Sequence, residues 1–213
     1  MLISTLLVTL VLVSGGNAAL TRTEFNKAIT SNGYPKPGDN SIYTYLSKAT
    51  NKYSRNELAM FLAQLIHESG GFQFREEIAC KNTKCPGQYV DKVGLPGKYY
   101  YGRGFIQLTW GANYKAASQA LGLGDKLLRN PDLVASNTKY AVDVSTWYWQ
   151  KNVRPALKGA NKNKFGVTTK AINGAIECSG GPNKNAARRY QIYLKVADAL
   201  KIKNKAKENG CYN

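Results

Sequence analysis

The chain has 213 residues, and its 30 Lys and Arg against 13 Asp and Glu give it a formal net charge of +17. This length suits one domain with a sizeable core, and no internal repeat or shift in composition marks a second domain. The charge suggests an anionic partner such as nucleic acid, a membrane surface or an acidic cell wall, unless it only keeps the protein soluble. The lysines are not interleaved with aromatic residues, so we expect no nucleic-acid partner.

The first eighteen residues contain no charged side chain. An apolar run of about twelve residues leads into Gly16, Asn17 and Ala18, which is typical of a secretory signal peptide and its cleavage site. A membrane-spanning helix needs roughly 20 apolar residues, so an anchor is the weaker interpretation. The Lys or Arg that usually precedes a signal core is missing. We therefore expect a signal peptide over residues 1–18, a mature chain over residues 19–213, and a secreted, extracellular protein without a membrane contact.

Four cysteines suit an exported protein with two disulfides, and sequence alone permits three connectivities. We favour Cys80–Cys85, which would close a small loop, and Cys178–Cys211, which would fix the C-terminal tail. A zinc site is the alternative reading of these cysteines. Because no CxxC pair is present, we expect no metal.

Hydrophobic periodicity predicts a mainly helical chain. Ser54 precedes Glu57 by three residues, as in a capping box, and Leu58, Phe61 and Leu65 then follow at helical spacing. Two glycines at residues 70–71 would end this helix.

Other segments show weaker hydrophobic periodicity than this helix. We expect helices over residues 137–151 and 185–201, a loop between residues 79 and 104, and a short strand at "GFIQLTW", residues 104–110. We expect the three tryptophans, Trp110, Trp147 and Trp149, to lie in the core.

Glu68 continues the apolar stripe of the first predicted helix, three residues after Leu65. A carboxyl group at the rim of a core is desolvated, which raises its pKa and keeps it protonated, as a general acid requires. The alternative is a side chain that points into water at a frayed helix end. Glycoside hydrolysis also needs a second carboxylate that stays ionised. Glu77 beside Arg75 suits that role, but Glu76 is a rival that nothing local excludes.

Five segments occur in order along the chain: "FLAQLIHESGGF", "YYYGRGFIQLTWGANY", "NPDLV", "TTKAINGAIECSGG" and "RRYQIYLKVADAL". Together they resemble family 19 glycoside hydrolases, the chitinases of plants and bacteria and the related endolysin-like lysozymes of phages, from about residue 20 to the C-terminus. The resemblance implies a mainly α, lysozyme-like single domain with a small β element, and it implies the two disulfides favoured above. It also implies inverting hydrolysis of β-1,4 bonds between N-acetylglucosamine units, without a cofactor.

The resemblance assigns roles residue by residue. Glu68 matches the general acid, and Glu77, nine residues later, matches the general base of compact bacterial members, which decides against Glu76. Thr109 matches the residue that positions the attacking water. In an inverting enzyme the two carboxyl groups lie roughly 6.5–9.5 Å apart, which leaves room for that water.

Other positions match residues around the substrate. Gln107, Asn113 and Asn173 match substrate contacts, and Arg189 falls where the family has an Arg that contacts the second carboxylate. His67 matches the His of the His-Glu pair, and we expect it to orient its neighbour by a hydrogen bond rather than to carry a proton.

Aromatic residues of the loop are candidates for sugar stacking. Tyr99, Tyr100 and above all Tyr101 are the most plausible rings to face a hexose, with loop packing as the alternative. Ala112 stands where plant chitinases usually carry a Tyr, and the chain is shorter than plant enzymes between the two acids. We therefore expect fewer subsites.

Two substrates and a different class of function stay open. We expect chitin or chitooligosaccharides first and peptidoglycan second, bound by a monomer. An inactive chitin-binding or antimicrobial protein is the alternative, although both acids and Thr109 are present.

Overall fold

The computed structural model describes residues 19–213, so the predicted signal peptide over residues 1–18 lies outside the described residues. Nine α-helices occur in the described part of the chain. They are α1 (Arg22–Thr30), α2 (Ser41–Ala49), α3 (Arg55–Glu68), α4 (Gly111–Ala120), α5 (Lys126–Arg129), α6 (Leu133–Ser136), α7 (Thr138–Tyr148), α8 (Phe165–Glu177) and α9 (Lys184–Ala199). A π-helical turn (Trp149–Val153) and two 3₁₀ turns (Arg154–Leu157, Gly159–Asn161) connect α7 to α8. Over residues 19–213, no helix has the length and apolar character needed to cross a membrane.

Helix α3 is the centre of the fold. Ser54 caps it as expected, since its side chain accepts a hydrogen bond from the backbone N–H of Glu57 at 3.2 Å. The Glu57 carboxylate does not complete the capping box; it accepts instead from Trp149 Nε1 at 2.9 Å and from Arg154 Nε at 2.6 Å. Nine consecutive residues of α3, 58–66, are buried. A helix buried on all sides is enclosed by its neighbours, and here α9 and α8 both pack against α3.

The tryptophans occupy different environments. Trp149 is fully buried and its ring centroid lies 5.2 Å from that of Phe61, while Trp147 packs at the edge of the core. Trp110 is 43% exposed, so its predicted core position is wrong. It precedes α4 with a left-handed backbone (φ 72°), which turns the ring away from the interior.

The small β element consists of isolated bridges within residues 19–213, and the strand expected over residues 104–110 is wrong. Arg103 and Leu108 pair across a tight turn, in which Leu108 N–H donates to Arg103 O at 2.8 Å. Gly104 (φ 73°) and Gln107 (φ 53°) have left-handed backbones, so the chain reverses before a strand can extend. The reversal brings the side chain of Gln107 next to Gly102.

Both predicted disulfides are confirmed. Cys80–Cys85 closes a six-residue loop, with a sequence separation of 5, and packs against the buried ring of Tyr101. Cys178–Cys211 joins the end of α8 to the C-terminal segment over a separation of 33 residues. The mainly helical fold and the helices expected around residues 137–151 and 185–201 are also confirmed.

Loop length predicts that the two disulfides stabilise the fold by different amounts. A cross-link restricts the unfolded chain more when it closes a longer loop, so replacing Cys178 and Cys211 by Ser should lower the free energy of unfolding by about 3–4 kcal/mol. The matched variant without Cys80 and Cys85 should lose about 2 kcal/mol. Urea unfolding of both variants measures the two losses, and a larger loss in the Cys80/Cys85 variant would contradict this ranking.

Candidate active site

A cleft of about 710 Å³ contains the two acids that sequence reasoning paired. Glu68 enters it from the last residue of α3, and Glu77 from the loop that follows. The amide side chains of Gln107, Asn113 and Asn173 also line the cleft, together with Thr109. The structure thus brings six residues from four separate parts of the sequence to one site.

The buried side chain of Arg189 forms an ion pair with Glu68. Its Nη1 lies 2.5 Å from Glu68 Oε1, and its side chain is 2% exposed against 16% for Glu68. The expectation that Arg189 contacts the second carboxylate, Glu77, is wrong, because its guanidinium pairs with Glu68 and Glu177. Its second carboxylate is Glu177, at the end of α8.

The guanidinium of Arg189 is surrounded by acceptors. Its Nε and Nη2 donate to the two oxygens of Glu177 at 2.9 and 2.7 Å. Its Nη1 also donates to Gln64 Oε1 at 2.8 Å, and Gln64 Nε2 donates to Thr168 and Thr169 of α8. Gln64 and Glu68 are one helical turn apart, so α3 presents both side chains to the same cation.

The two carboxylates on Arg189 differ in protonation. Burial raises the pKa of Glu68 above its ordinary value, although the charge of Arg189 opposes this and that of Glu177 adds to it. Burial also acts on Glu177, but hydrogen bonds from Arg189 and Asn173 hold its pKa below the ordinary range. One carboxylate therefore neutralises Arg189, which leaves the other free to carry a proton.

Glu77 is held by neutral donors. Its Oε1 accepts from the Tyr89 hydroxyl at 3.0 Å and its Oε2 from the backbone N–H of Gly102 at 3.1 Å. The Glu77 N–H donates in turn to Gly102 O at 2.8 Å. Arg75 does not contact Glu77, contrary to expectation, because its guanidinium pairs with Asp39 at 2.7 Å.

Glu76 points away from the cleft. Its carboxylate accepts from the Tyr101 hydroxyl at 2.9 Å and lines a separate cavity with Arg75 and Asp132. The structure therefore separates the two neighbouring acids that local sequence could not distinguish: Glu77 shares the cleft with Glu68, and Glu76 does not.

The cleft contains several backbone irregularities. Tyr89, Gln107 and Trp110 have positive φ angles of 54°, 53° and 72°, and α8 is interrupted at Asn173, where φ is −141° and ψ is 36°. Left-handed backbone at residues other than glycine costs about 1–3 kcal/mol and clusters at functional sites. At the kink, Asn173 Nδ2 donates to Glu177 Oε1 at 2.8 Å. This hydrogen bond links the cleft surface to the Arg189 network, which consists of Arg189 and its partners Glu68, Glu177 and Gln64.

Three predicted substrate contacts are not at the cleft surface. Tyr101 is fully buried against the Cys80–Cys85 disulfide, so its predicted stacking on a sugar is wrong. Arg189 is buried behind Glu68. His67 does not line the cleft, and its buried Nδ1 has no hydrogen-bond partner within residues 19–213. Burial and the charge of Arg189 lower the pKa of His67 to about 3, which keeps the ring neutral.

Sequence reasoning missed four residues of this site: Gln64, Tyr89, Trp110 and Glu177. The signal for Gln64 was its spacing of four residues before Glu68, and Glu177 stood four residues after Asn173 in the quoted segment "TTKAINGAIECSGG". Tyr89 and Trp110 gave no comparable signal, because they lie in irregular segments without a period. Their rings contact edge to face, with centroids 5.6 Å apart, on the wall of the cleft.

Comparisons with known proteins identify the family of the chain. Residues 38–210 match the family model of the family 19 glycoside hydrolases, described as chitinase class I. The chain belongs to glycoside hydrolase family 19. Among solved structures, chitinase C from Streptomyces griseus superposes with a TM-score of 0.70 and 30% identity, over 89% of this chain and 96% of that one.

Plant endochitinases are also similar to the chain. An endochitinase of Arabidopsis thaliana is 44% identical over 154 residues, which cover 70% of this chain and 50% of the relative. Endochitinase A of Zea mays is 30% identical over 187 residues, covering 88% of this chain and 61% of the relative. The chain thus spans about half the length of the first of these curated relatives.

The Arg189 network predicts how Glu68 responds to its neighbours. In Glu177→Gln, one negative charge that raises the pKa of Glu68 is removed, and Arg189 is left with Glu68 as its only carboxylate within the described network. The pKa of Glu68 should therefore fall, so that the carboxyl group ionises at lower pH. NMR titration of ¹³C-labelled glutamate side chains measures this shift.

A matched control is Glu208→Gln, since Glu208 bonds the Tyr212 hydroxyl outside the network. This substitution should leave the titration of Glu68 unchanged. An unchanged or raised pKa of Glu68 in a folded Glu177→Gln protein would contradict the role given to the shared guanidinium.

Proposed function

We propose that this protein is an endochitinase that hydrolyses β-1,4 bonds between N-acetylglucosamine units. The observation that carries the proposal is the pair Glu68 and Glu77, which line one cleft in unlike environments. Glu68 is buried at a helix end with a raised pKa, and Glu77 lies in a loop between a hydroxyl and a backbone N–H. Family 19 membership supports chitin or chitooligosaccharides as the substrate class.

The proposed reaction is a single displacement. Glu68 donates its proton to the glycosidic oxygen as the bond from that oxygen to the anomeric carbon breaks. A water, positioned by Glu77 and Thr109, attacks the anomeric carbon from the opposite face, and its proton passes to Glu77. The new bond forms opposite the broken one, so the anomeric centre is inverted.

The remaining cleft residues suit a neutral sugar. Gln107, Asn113 and Asn173 offer amide donors and acceptors for hydroxyl and acetamido groups. The exposed ring of Trp110 provides an apolar surface in the cleft. In this proposal Trp110, rather than Tyr101, is the aromatic residue that stacks on a sugar. No Lys or Arg lines the cleft within the described part of the chain. This fits an uncharged N-acetylated chain.

Product analysis with two substrates tests the proposal. A chitin hexamer and purified bacterial peptidoglycan are incubated with the enzyme in parallel, and NMR follows the anomer formed. Cleavage of the hexamer to α-anomeric products is the expected result. Lysis of peptidoglycan with an intact hexamer would assign the same acids to a lysozyme. Binding of chitin without cleavage of either substrate would favour the inactive chitin-binding alternative.

Substitution of Glu68 or Glu77 should lower kcat far more than substitution of Glu76. Glu68→Gln and Glu77→Gln should each lower kcat at least about 10²–10⁴-fold, which is the range of general acid–base catalysis. Glu76→Gln is the matched control, because its side chain lies outside the cleft; it should retain kcat within about threefold. Initial rates on the hexamer measure all three. A larger loss in Glu76→Gln than in Glu77→Gln would contradict the assignment of the base.

Tyr89 should act as a positioning residue for Glu77. In Tyr89→Phe the carboxylate loses one of its two donors, so kcat should fall about three- to tenfold, as expected for one hydrogen bond, while KM changes little. The matched control is Tyr99→Phe, since Tyr99 lies outside the cleft. A Tyr89→Phe protein with wild-type kcat would mean that the Gly102 N–H suffices to orient Glu77.

We also propose that the protein works outside the cell. Its two disulfides support this, because such bonds persist in oxidising compartments. The signal peptide predicted over residues 1–18 agrees with that location, and N-terminal sequencing of the exported protein tests it.

A further inference from the structure

Two lysine-rich segments that are separated in sequence meet in space. Residues 158–164 contain three lysines and residues 201–207 contain four, and neither segment has an acidic residue. Lys164 and Lys207 form a parallel bridge, in which Lys207 N–H donates to Asn163 O at 2.8 Å and Phe165 N–H donates to Lys207 O at 2.6 Å. We call the combined surface the basic face. Its lysines are Lys158, Lys162, Lys164, Lys201, Lys203, Lys205 and Lys207.

Most of this charge is exposed and not neutralised. Five of the seven lysines are exposed, and Lys164 and Lys205 are half-buried. Within residues 19–213, Lys205 is the one member with a carboxylate partner, Asp198, at 2.6 Å. The nearby Glu208 accepts from the Tyr212 hydroxyl instead. Lysines crowded without counter-charges repel one another, and an anionic ligand relieves that repulsion.

The basic face lies far from the cleft. Asn163, within it, bonds Asn56 at the start of α3 at 3.2 Å, whereas Glu68 is the last residue of the same 14-residue helix. At 1.5 Å per residue, the two ends are about 20 Å apart. A ligand on the basic face would therefore leave the cleft open, and the cleft itself has no lysine that such a ligand could reach.

We propose that the basic face binds a linear anionic polysaccharide, a sugar chain that carries carboxylate or sulfate groups. Lysine side chains are flexible point charges that suit irregularly spaced anions. Neither segment contains a strongly exposed large hydrophobic side chain, which a membrane surface would engage and on which nucleic-acid bases would stack. The two disulfides also favour an extracellular partner. The proposal does not depend on the catalytic activity of the cleft.

Charge-matched variants test the proposal. Lys158, Lys162, Lys203 and Lys207 are changed to Gln in one variant, and Lys36, Lys48, Lys92 and Lys98, which are exposed elsewhere, in the control. Binding to polygalacturonate and to a neutral glucan is measured at 50 mM and 500 mM NaCl. We expect the basic-face variant to bind polygalacturonate at least about tenfold more weakly than wild type at low salt, and the control within about threefold.

Each outcome decides for or against the proposal. Wild-type binding should weaken steeply at high salt and should not extend to the neutral glucan. An equal loss in both variants would show that only net charge matters and would overturn the basic face as a site. Tighter binding to duplex DNA or to anionic lipid vesicles than to polygalacturonate would overturn the choice of partner. The double variant Lys162→Gln/Lys203→Gln, with a wild-type melting temperature, provides the same comparison if the fourfold variant does not fold.

Discussion

One buried cation, the guanidinium of Arg189, is shared by the carboxylates of Glu68 and Glu177 and joins the three helices around the core. It comes from α9, whereas Glu68 ends α3 and Glu177 ends α8. A buried charge left without a partner is strongly destabilising, so the ends of α3 and α8 and the first half of α9 are held in one arrangement. Burial raises the pKa of Glu68, the charge of Arg189 opposes that shift, and the charge of Glu177, paired with the same guanidinium, adds to it. Packing and the proposed acid therefore depend on one interaction.

The opposite wall of the cleft is built differently. Glu77 lies in a segment without regular secondary structure, which the Cys80–Cys85 disulfide and the backbone hydrogen bond from Glu77 N–H to Gly102 O keep in place. Its carboxylate meets a hydroxyl and an amide rather than a cation. Two carboxyl groups in such unlike surroundings are what an acid–base pair requires. The lysines that give the chain its net charge lie outside this cleft, so catalysis and surface charge are spatially separate.

Helix α3, its cap at Ser54 and the position of Glu68 followed from local pattern, because capping and apolar spacing act within a few residues. The disulfides followed from loop size and resemblance. Local pattern could not decide between Glu76 and Glu77, because a distant residue, Gly102, fixes the direction of their loop. It also failed for the aromatic rings: Tyr101 is buried and Trp110 exposed, and tertiary contacts decide both.

The most direct test of the account compares two titrations of the same enzyme. The alkaline limb of kcat/KM on a chitin hexamer reports the group that must stay protonated in the free enzyme. If Glu68 is that group, the limb should coincide with its pKa measured by NMR, and both should move to lower pH together in Glu177→Gln. A limb that stays in place while the pKa of Glu68 moves would contradict the claim that the Arg189 network controls the catalytic proton.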